Sequence, residues 1–349
     1  MTNASKGGLW QELEGHQPTL KPLIEAAAKS RLAGTLLFAG PSGVGKKFSA
    51  LALTQALVCE TDLKTRDDHA GCGACGPCRR VESGQSESLM VVSPDGAQIK
   101  IDQARDILKF LNLQKLGRAR VIIIDQAHAL GAQAGNALLK ALEEPPAGTH
   151  FVLVSALPNA ILATLRSRSQ LVRFRPLSDD SIKKILARSR AEGTAPIKKM
   201  LKPEKEVKPV KIDEWLLRAS HGSVEVAKRL VDEREDYEAL ENATAAYMAA
   251  SLDRFPGEEI SALREMLKDR STHGFVASVI QGAVTDAMKL KTGLKPSKFE
   301  RLITPLASKS ARALELLAQK SLAFEADLAR NVDRGLLLEA LAVQLSRNG

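Results

Sequence analysis

A glycine-rich stretch near the N-terminus could bind phosphate groups. Residues 40–47 read Gly-Pro-Ser-Gly-Val-Gly-Lys-Lys and lie between an apolar run and a helical pattern. Gly40, Gly43 and Gly45 would allow backbone N–H groups to converge on phosphate oxygens, and a helix that begins here adds a favourable dipole. Lys46 stands where a phosphate-loop lysine reaches the terminal phosphates. The pattern therefore predicts a loop that could accept the phosphates of ATP or ADP.

The position after Lys46 departs from the phosphate-loop pattern. A Ser or Thr at this position would place its hydroxyl on Mg²⁺, whereas this chain has Lys47. An ammonium group cannot ligate a metal cation and repels one nearby. The sequence therefore predicts a degenerate nucleotide site in which the placement of Mg²⁺ is impaired.

An acidic motif farther along the chain has the form of a Walker B segment. Residues 121–128 read Val-Ile-Ile-Ile-Asp-Gln-Ala-His, and Asp125 ends the apolar run, where α/β sheets present functional groups. Hydrolysing proteins with this motif have a Glu next, which prepares the attacking water, but Gln126 cannot accept a proton as a carboxylate would. Together with Lys47, this predicts that intrinsic ATP hydrolysis is lost or very slow. The alternative interpretation is a plain core strand capped by an aspartate.

All the cysteines of the chain lie within residues 59–78. Cys72, Cys75 and Cys78 form two overlapping C-x-x-C steps, and Cys59 precedes them. Four thiolates suit a closed, structural Zn²⁺ site, which leaves no coordination position for water. An iron–sulfur cluster and free thiols are the alternatives, and disulfides are not expected in a reducing cytoplasm.

Short apolar runs alternate with helical patterns in the first half of the chain. The runs are continuous, as expected of strands that are buried on both faces, and cover residues 35–40, 89–93, 120–125 and 150–156. The helical stretches between them are Phe48–Val58, Ile101–Asn112 and Gly135–Glu144. This alternation predicts an α/β fold with a parallel sheet that helices cover on both faces.

The length of 349 residues exceeds one typical domain and predicts several. We expect an α/β domain over residues 1–177 and a small helical lid over residues 178–233. A C-terminal all-helical domain would follow over residues 234–349. The lid contains a Pro- and Lys-rich stretch, residues 194–211, that is typical of an exposed loop.

The formal net charge of +9 is concentrated in one segment. Residues 183–211 contain ten Lys or Arg and three Glu, hence +7. This predicts weak phosphate contact within a larger assembly or, alternatively, a solvated surface. The aromatic content of 4% disfavours stacking on single-stranded bases. No apolar run reaches membrane-spanning length and no secretory signal begins the chain, so a cytoplasmic protein is expected.

Several stretches resemble bacterial clamp-loader subunits of the AAA+ superfamily. These are the four-cysteine insertion after the phosphate-loop helix, residues 136–146 (Asn-Ala-Leu-Leu-Lys-Ala-Leu-Glu-Glu-Pro-Pro) and residues 164–169 (Thr-Leu-Arg-Ser-Arg-Ser). The last resembles the family's Ser-Arg-Cys motif with Ser169 in place of Cys. The resemblance covers residues 14–230 closely and implies an AAA+ P-loop sheet, a helical lid and a C-terminal helical collar.

Within that family, the gamma/tau subunits of DNA polymerase III are the ATPase motors, and the delta-prime type is a largely rigid partner. Lys47 and Gln126 favour the delta-prime type. So does Glu225, because residues 222–225 (Gly-Ser-Val-Glu) resemble a segment in which the motors place an Arg that contacts the nucleotide. Residues 99–105 also look like the delta-prime type.

The resemblance also implies partners and a role in trans. The arginine of the family's Ser-Arg-Cys motif projects into the ATP site of the neighbouring subunit, so Arg168 would be an arginine finger. The chain would join delta and gamma/tau subunits in a hetero-pentameric ring, and would reach the sliding clamp and primer–template DNA at the replisome through that ring. The alternatives are a gamma/tau-type ATPase motor and, outside the family, a zinc-dependent regulator that binds nucleic acid.

Overall fold

The computed structural model describes residues 8–191, 212–269, 272–295, 300–329 and 332–346. The chain divides into two compact units, Met1–Asp232 and Glu233–Gly349. The basic stretch 194–211 lies outside the described residues. No helix within the described ranges combines the length and apolar character needed to cross a bilayer.

A five-stranded parallel sheet forms the centre of the first unit. Its strands are β1 (Thr35–Ala39), β2 (Leu89–Val92), β3 (Arg120–Ile124), β4 (Thr149–Ser155) and β5 (Gln170–Arg173). Their spatial order is β2-β3-β4-β1-β5, with neighbours parallel throughout. The predicted parallel sheet is confirmed, and the order places β4 between the strands that lead to the phosphate loop and to Asp125.

The edge strand β5 was not predicted from the sequence. The residues of β1 and β3 are all buried, which explains their continuous apolar runs. In β5 only Val172 is buried, because this strand lies at the edge of the sheet and pairs with β1 alone. A four-residue strand with three exposed positions has no apolar run that would mark it.

Helices cover both faces of the sheet. Those of the first unit are α1 (Leu9–Glu12), α2 (Gln17–Ala28), α3 (Lys46–Val58), α4 (Gly76–Glu82), α5 (Ile101–Asn112), α6 (Ala132–Glu143), α7 (Ala163–Arg166), α8 (Asp179–Ala191), α9 (Glu214–Ala219) and α10 (Val224–Asp232). Leu36 and Phe38 of β1 pack in one core with α2 and α3, whereas Leu37 packs in a second core with α5 and α6. Successive strand residues face opposite sides, so each strand stabilises both layers.

The described part of the second unit is helical. Its helices are α11 (Arg234–Asp253), α12 (Gly257–Met266), α13 (His273–Lys291), α14 (Glu300–Ala307), α15 (Ala311–Ala329) and α16 (Arg334–Ser346). The predicted C-terminal helical region is therefore confirmed. Within the first unit, the lid helices α8–α10 follow the sheet, and the Leu177 amide donates to the Gly222 carbonyl at 3.0 Å.

Candidate functional site

The predicted phosphate loop and Asp125 lie at the same edge of the sheet. Residues 40–45 connect β1 to α3, and Asp125 directly follows β3. The Gly40 amide donates to the carbonyl of Ser155, the last residue of β4, at 3.3 Å. Because all strands are parallel, their carboxyl ends bring these residues together, as in other open α/β sheets.

The loop turns through two glycines in left-handed conformations. Gly43 has φ +69° and Gly45, which directly precedes α3, has φ +98°. The carbonyl of Val44 is 2.8 Å from His16 Nε2, and the His16 ring packs edge-on against Phe174. The backbone therefore needs glycine at two positions, and a buried imidazole supports the turn between them.

Lys46 is buried against its own loop. Its Nζ atom donates to the Gly40 carbonyl at 2.7 Å and to the Pro41 carbonyl, and the residue is 6% exposed. Burial lowers the pKa of Lys46 to about 8, although the charges of Asp125 and Glu225 oppose that shift. The ammonium group is thus charged at neutral pH, but its proton is held less tightly than that of an exposed lysine.

Lys47 forms an ion pair with Asp125. Its Nζ atom is 3.1 Å from Asp125 Oδ2, and both side chains are about four-fifths buried. The other carboxylate oxygen, Oδ1, accepts a hydrogen bond from the Gln126 amide at 3.0 Å. Gln126 itself has φ +51°, a conformation uncommon for a residue other than glycine. Both oxygens of Asp125 therefore have donors from the chain itself.

The lid contacts the loop directly. The Val224 amide donates to the Gly43 carbonyl at 2.9 Å, and the Ser42 hydroxyl donates to Glu225 Oε2 at 3.4 Å. Glu225 Oε1 also lies 3.6 Å from the Arg229 guanidinium, one turn along α10. A carboxylate thus lies beside the loop, held by a hydroxyl and a cation.

A cavity of about 750 Å³ opens at this edge of the sheet. Of the residues that the sequence analysis associated with the nucleotide site, seven line it: Gly43, Gly45, Lys46, Lys47, Asp125, Gln126 and Glu225. Gly40 lies in the same loop, outside that lining. The cavity also takes in residues that sequence reasoning did not select, among them His16, His128, Ser155 and Arg188. His128 ends the Walker B segment and Arg188 lies in the basic segment 183–211, but neither pattern gave the residue a role here, and His16 and Ser155 lie in no motif.

His128 illustrates such a missed residue. Its Nδ1 atom is 3.1 Å from the Ser155 hydroxyl, which also accepts a hydrogen bond from the Leu157 amide. Burial lowers the pKa of His128 below its ordinary value, and Lys46 adds to the shift while Asp125 opposes it. The imidazole therefore favours its neutral form and fixes the end of β4 beside the cavity.

Replacing Gly43 with alanine should loosen the lid. A Cβ atom there would overlap the Ser223 hydroxyl and come within 2.6 Å of the Glu225 Cβ, in addition to the strain of a positive φ. We expect a loss of about 2 kcal/mol or more in local stability. Hydrogen exchange at the Val224 amide should then be faster by about tenfold or more.

Gly45→Ala is the matched control. Its added Cβ would have its nearest neighbour, a carbon of the His16 ring, at 3.9 Å, so that this change adds backbone strain without touching the lid. The Val224 amide should exchange at close to the wild-type rate in this variant. Equal acceleration in the two variants would contradict the direct contact between loop and lid.

Arg168 lies apart from the cavity. Its Nε atom pairs with Glu143, the last residue of α6, and its Nη1 atom donates to the Thr164 carbonyl at 3.0 Å. The residue is exposed. Within the described residues, Nη2 donates no hydrogen bond. The structure thus holds the guanidinium from one side and leaves its other end at the surface.

The four cysteines come together, as the sequence predicted. Their sulfur atoms all lie within 4.8 Å of one another, with Cys59 and Cys75 at 3.9 Å and Cys72 and Cys78 at 4.0 Å. A tetrahedral site with Zn–S bonds of about 2.3 Å has sulfur–sulfur edges of about 3.8 Å. The cluster therefore has the size and the donors to bind a metal ion.

Hydrogen bonds prepare one thiol for ligation. Burial by itself would raise the pKa of Cys72, but hydrogen bonds from the Thr61 hydroxyl and the Cys75 amide lower that pKa to about 6. In contrast, burial raises the pKa of the Cys78 thiol. Cys72 is thus ready as a thiolate, the form that binds metal, whereas Cys78 needs a cation to offset its desolvation.

Comparison with known proteins identifies relatives of the first unit. The family model described as DNA polymerase III, delta subunit, matches residues 15–178. The DNA polymerase III subunit delta' of Bacillus subtilis is 35% identical over 175 residues, which are 50% of this chain and 52% of that protein. The subunit delta' of Escherichia coli K12 is 34% identical over 166 residues, 46% of this chain and 48% of that protein. The match thus spans about half the length of these relatives.

A subunit of another type is also similar. The DNA polymerase III subunit tau of Escherichia coli K12 is 29% identical over 223 residues, 64% of this chain and 32% of that protein. Among solved structures, the RuvB Holliday junction branch migration motor of Thermotoga maritima is 19% identical, with a TM-score of 0.42 over 95% of this chain and 89% of that one. We infer nothing further from that likeness.

Proposed function

We propose that the chain acts as a delta-prime-type clamp-loader subunit of DNA polymerase III. The match of residues 15–178 to the family model and the similarity to delta' and tau subunits support this proposal. In this role it hydrolyses little or no ATP itself. It assembles with delta and gamma/tau subunits, and contributes through that ring to loading a sliding clamp onto primed DNA in the cytoplasm.

The ion pair between Lys47 and Asp125 carries this proposal. In a working site of this type, a hydroxyl and the Walker B aspartate together hold Mg²⁺. Here Asp125 Oδ2 is 3.1 Å from an ammonium group instead. Gln126 follows in place of a carboxylate that could prepare water. A site that places neither the metal nor the base supports a non-hydrolysing subunit over a motor.

In this proposal, Arg168 acts as an arginine finger in the ATP site of a neighbouring subunit. Its guanidinium is fixed in charge and can donate two hydrogen bonds to one phosphate, which suits a γ-phosphate that gathers negative charge during transfer. The contact with Glu143 restrains the side chain at Nε. The Nη2 end of the guanidinium therefore remains for hydrogen bonds to a neighbouring subunit. This geometry supports a role as an arginine finger.

The cysteine cluster holds one structural Zn²⁺. Its sulfur spacing and the low pKa of Cys72 support zinc, and four protein ligands leave no position for catalysis. The cluster adjoins α3, the helix that begins at the phosphate loop: the carboxamide of Gln55 donates to the Cys78 carbonyl at 3.0 Å. The metal therefore stabilises the helix behind the loop and takes no part in chemistry.

Steady-state ATP turnover by the purified full-length chain tests the non-hydrolysing role. We expect turnover at the background level in the presence of Mg²⁺, because neither the metal nor the attacking water is positioned. Lys46→Ala is the control, and its rate should equal that of the wild type. Mg²⁺-dependent turnover that Lys46→Ala abolishes would instead favour a gamma/tau-type motor.

Affinity capture of the tagged chain from its own cells tests the assembly. We expect delta and gamma/tau subunits to be recovered together with the chain. Recovery of neither subunit would overturn the proposed assembly. Tight binding to duplex DNA by the chain alone, with steep salt dependence, would favour a nucleic-acid-binding regulator.

A further inference from the structure

Lys47 occupies the position at which a divalent cation would contact Asp125. Its ammonium group is 3.1 Å from Oδ2, while Oδ1 accepts the Gln126 amide. Mg²⁺ would have to approach a carboxylate oxygen to about 2.1 Å. The Lys47 ammonium group would then lie beside the ion as a like charge. The arrangement therefore excludes Mg²⁺ more strongly than the mere loss of a hydroxyl would.

The same ammonium group can still bridge to a phosphate. A lysine ammonium has three N–H donors, and among the described residues Lys47 pairs with Asp125 alone. Its remaining donors are available on the side of the cavity that it lines. Lys46 uses two donors on the carbonyls of Gly40 and Pro41, which leaves one for an incoming oxygen.

The surroundings of the two lysines determine the class of ligand. A cavity of about 750 Å³ is large enough for a nucleotide. Gly43 and Gly45 let the loop backbone approach phosphate oxygens closely. Glu225 lies beside the loop and its negative charge disfavours a longer, more highly charged phosphate chain. These groups fit a nucleoside diphosphate best.

We propose that this loop binds a nucleoside diphosphate without a divalent cation, and that the Lys47 ammonium bridges Asp125 and the phosphates in place of Mg²⁺. This inference rests on the proposed non-hydrolysing role of the same loop and deepens it. The step is reversible binding, in which no bond is made or broken. Its physical basis is that a fixed, tethered positive charge needs no free metal to balance the phosphates locally.

Isothermal titration of the full-length chain with ADP tests the inference. The dissociation constant measured in excess EDTA should be no larger than that measured in excess Mg²⁺, because Mg²⁺ chelates free ADP and the site excludes the ion. Failure of ADP to bind at millimolar concentration would overturn the inference. So would binding that Mg²⁺ strengthens by about tenfold or more, because Lys47 would then not be replacing the metal.

Lys47→Thr is the decisive variant, because it restores the hydroxyl of the phosphate-loop pattern. We expect its affinity for ADP in EDTA to fall by about tenfold or more, and added Mg²⁺ to recover that loss. Lys46→Met should weaken ADP binding equally with and without Mg²⁺. A Lys47→Thr variant that binds like the wild type in both buffers would contradict the bridging role.

The outcome separates this inference from the proposed function. A chain that binds ADP without Mg²⁺ and also turns over ATP would refute the non-hydrolysing role alone. A chain that binds no ADP but assembles with its partners and turns over no ATP would refute only the metal-free site. The comparison of EDTA with Mg²⁺ in the wild type stands even if a variant fails to fold.

Discussion

Replacing Arg168 with alanine is expected to slow ATP hydrolysis at the adjoining motor site of a reconstituted clamp loader by about 10³–10⁵-fold. The reason is that the finger stabilises charge that develops on the γ-phosphate in the transition state, and no other group of this chain is proposed to do so. Other motors keep their own sites, so total turnover would fall only partly. Phosphate release should therefore be measured in a single turnover that primed DNA stimulates. The slow kinetic phase of the affected site can then be separated from the faster phases of the other motors.

Two variants make this test specific. Arg166→Ala removes a neighbouring exposed arginine, which donates to Asn159 at 3.1 Å, and should leave the phase unchanged. Arg168→Lys keeps the charge but loses the planar fork, so its rate should lie between those of the wild type and Arg168→Ala. If Arg168→Ala releases phosphate as fast as Arg166→Ala, the finger assignment is wrong.

Replacing Cys72 with serine is expected to unfold the cysteine module locally. A structural Zn²⁺ site contributes on the order of 10 kcal/mol to folding, and the module surrounding Cys72 has little apolar core of its own beyond Ala70 and Val81. Elemental analysis of the purified variant should show the loss of about one zinc per chain. Residues 59–82 should become sensitive to protease while the rest of the first unit stays protected.

Thr61→Val is the matched control for the metal site. It removes the hydroxyl that donates to Cys72 Sγ at 3.2 Å but leaves all four thiols in place. Replacing a residue that hydrogen-bonds to a metal ligand typically changes the metal affinity by about 10–100-fold. This variant should therefore purify with zinc but lose it to a weaker chelator than the wild type does. Iron with sulfide in place of zinc would establish the iron–sulfur alternative. Purified wild-type chain without any metal would contradict the site.

The amino-acid sequence by itself was sufficient for the local features. The glycines and Lys46 define a phosphate loop because its backbone path depends on residues adjacent in the chain. Four continuous apolar runs predicted the strands β1 to β4, because burial on both faces requires apolar residues at every position. The predicted burial was wrong for β2, in which only Val92 is buried, since this strand lies at an edge of the sheet. Cys72, Cys75 and Cys78 predict a metal site since a C-x-x-C step brings two thiols to one ion. The edge strand β5 lacked such a pattern and was missed.

Only the tertiary structure decided what the charged residues of the loop do. The sequence predicts that Lys47 repels Mg²⁺, but its pairing with Asp125 depends on the strand order that places β4 between β1 and β3. Likewise, the contact of Ser42 with Glu225 joins residues 183 positions apart. Hydrogen bonds and ion pairs act over a few ångströms, whereas sequence patterns report spacing along the chain. Contacts between distant segments therefore become visible only once the chain has folded.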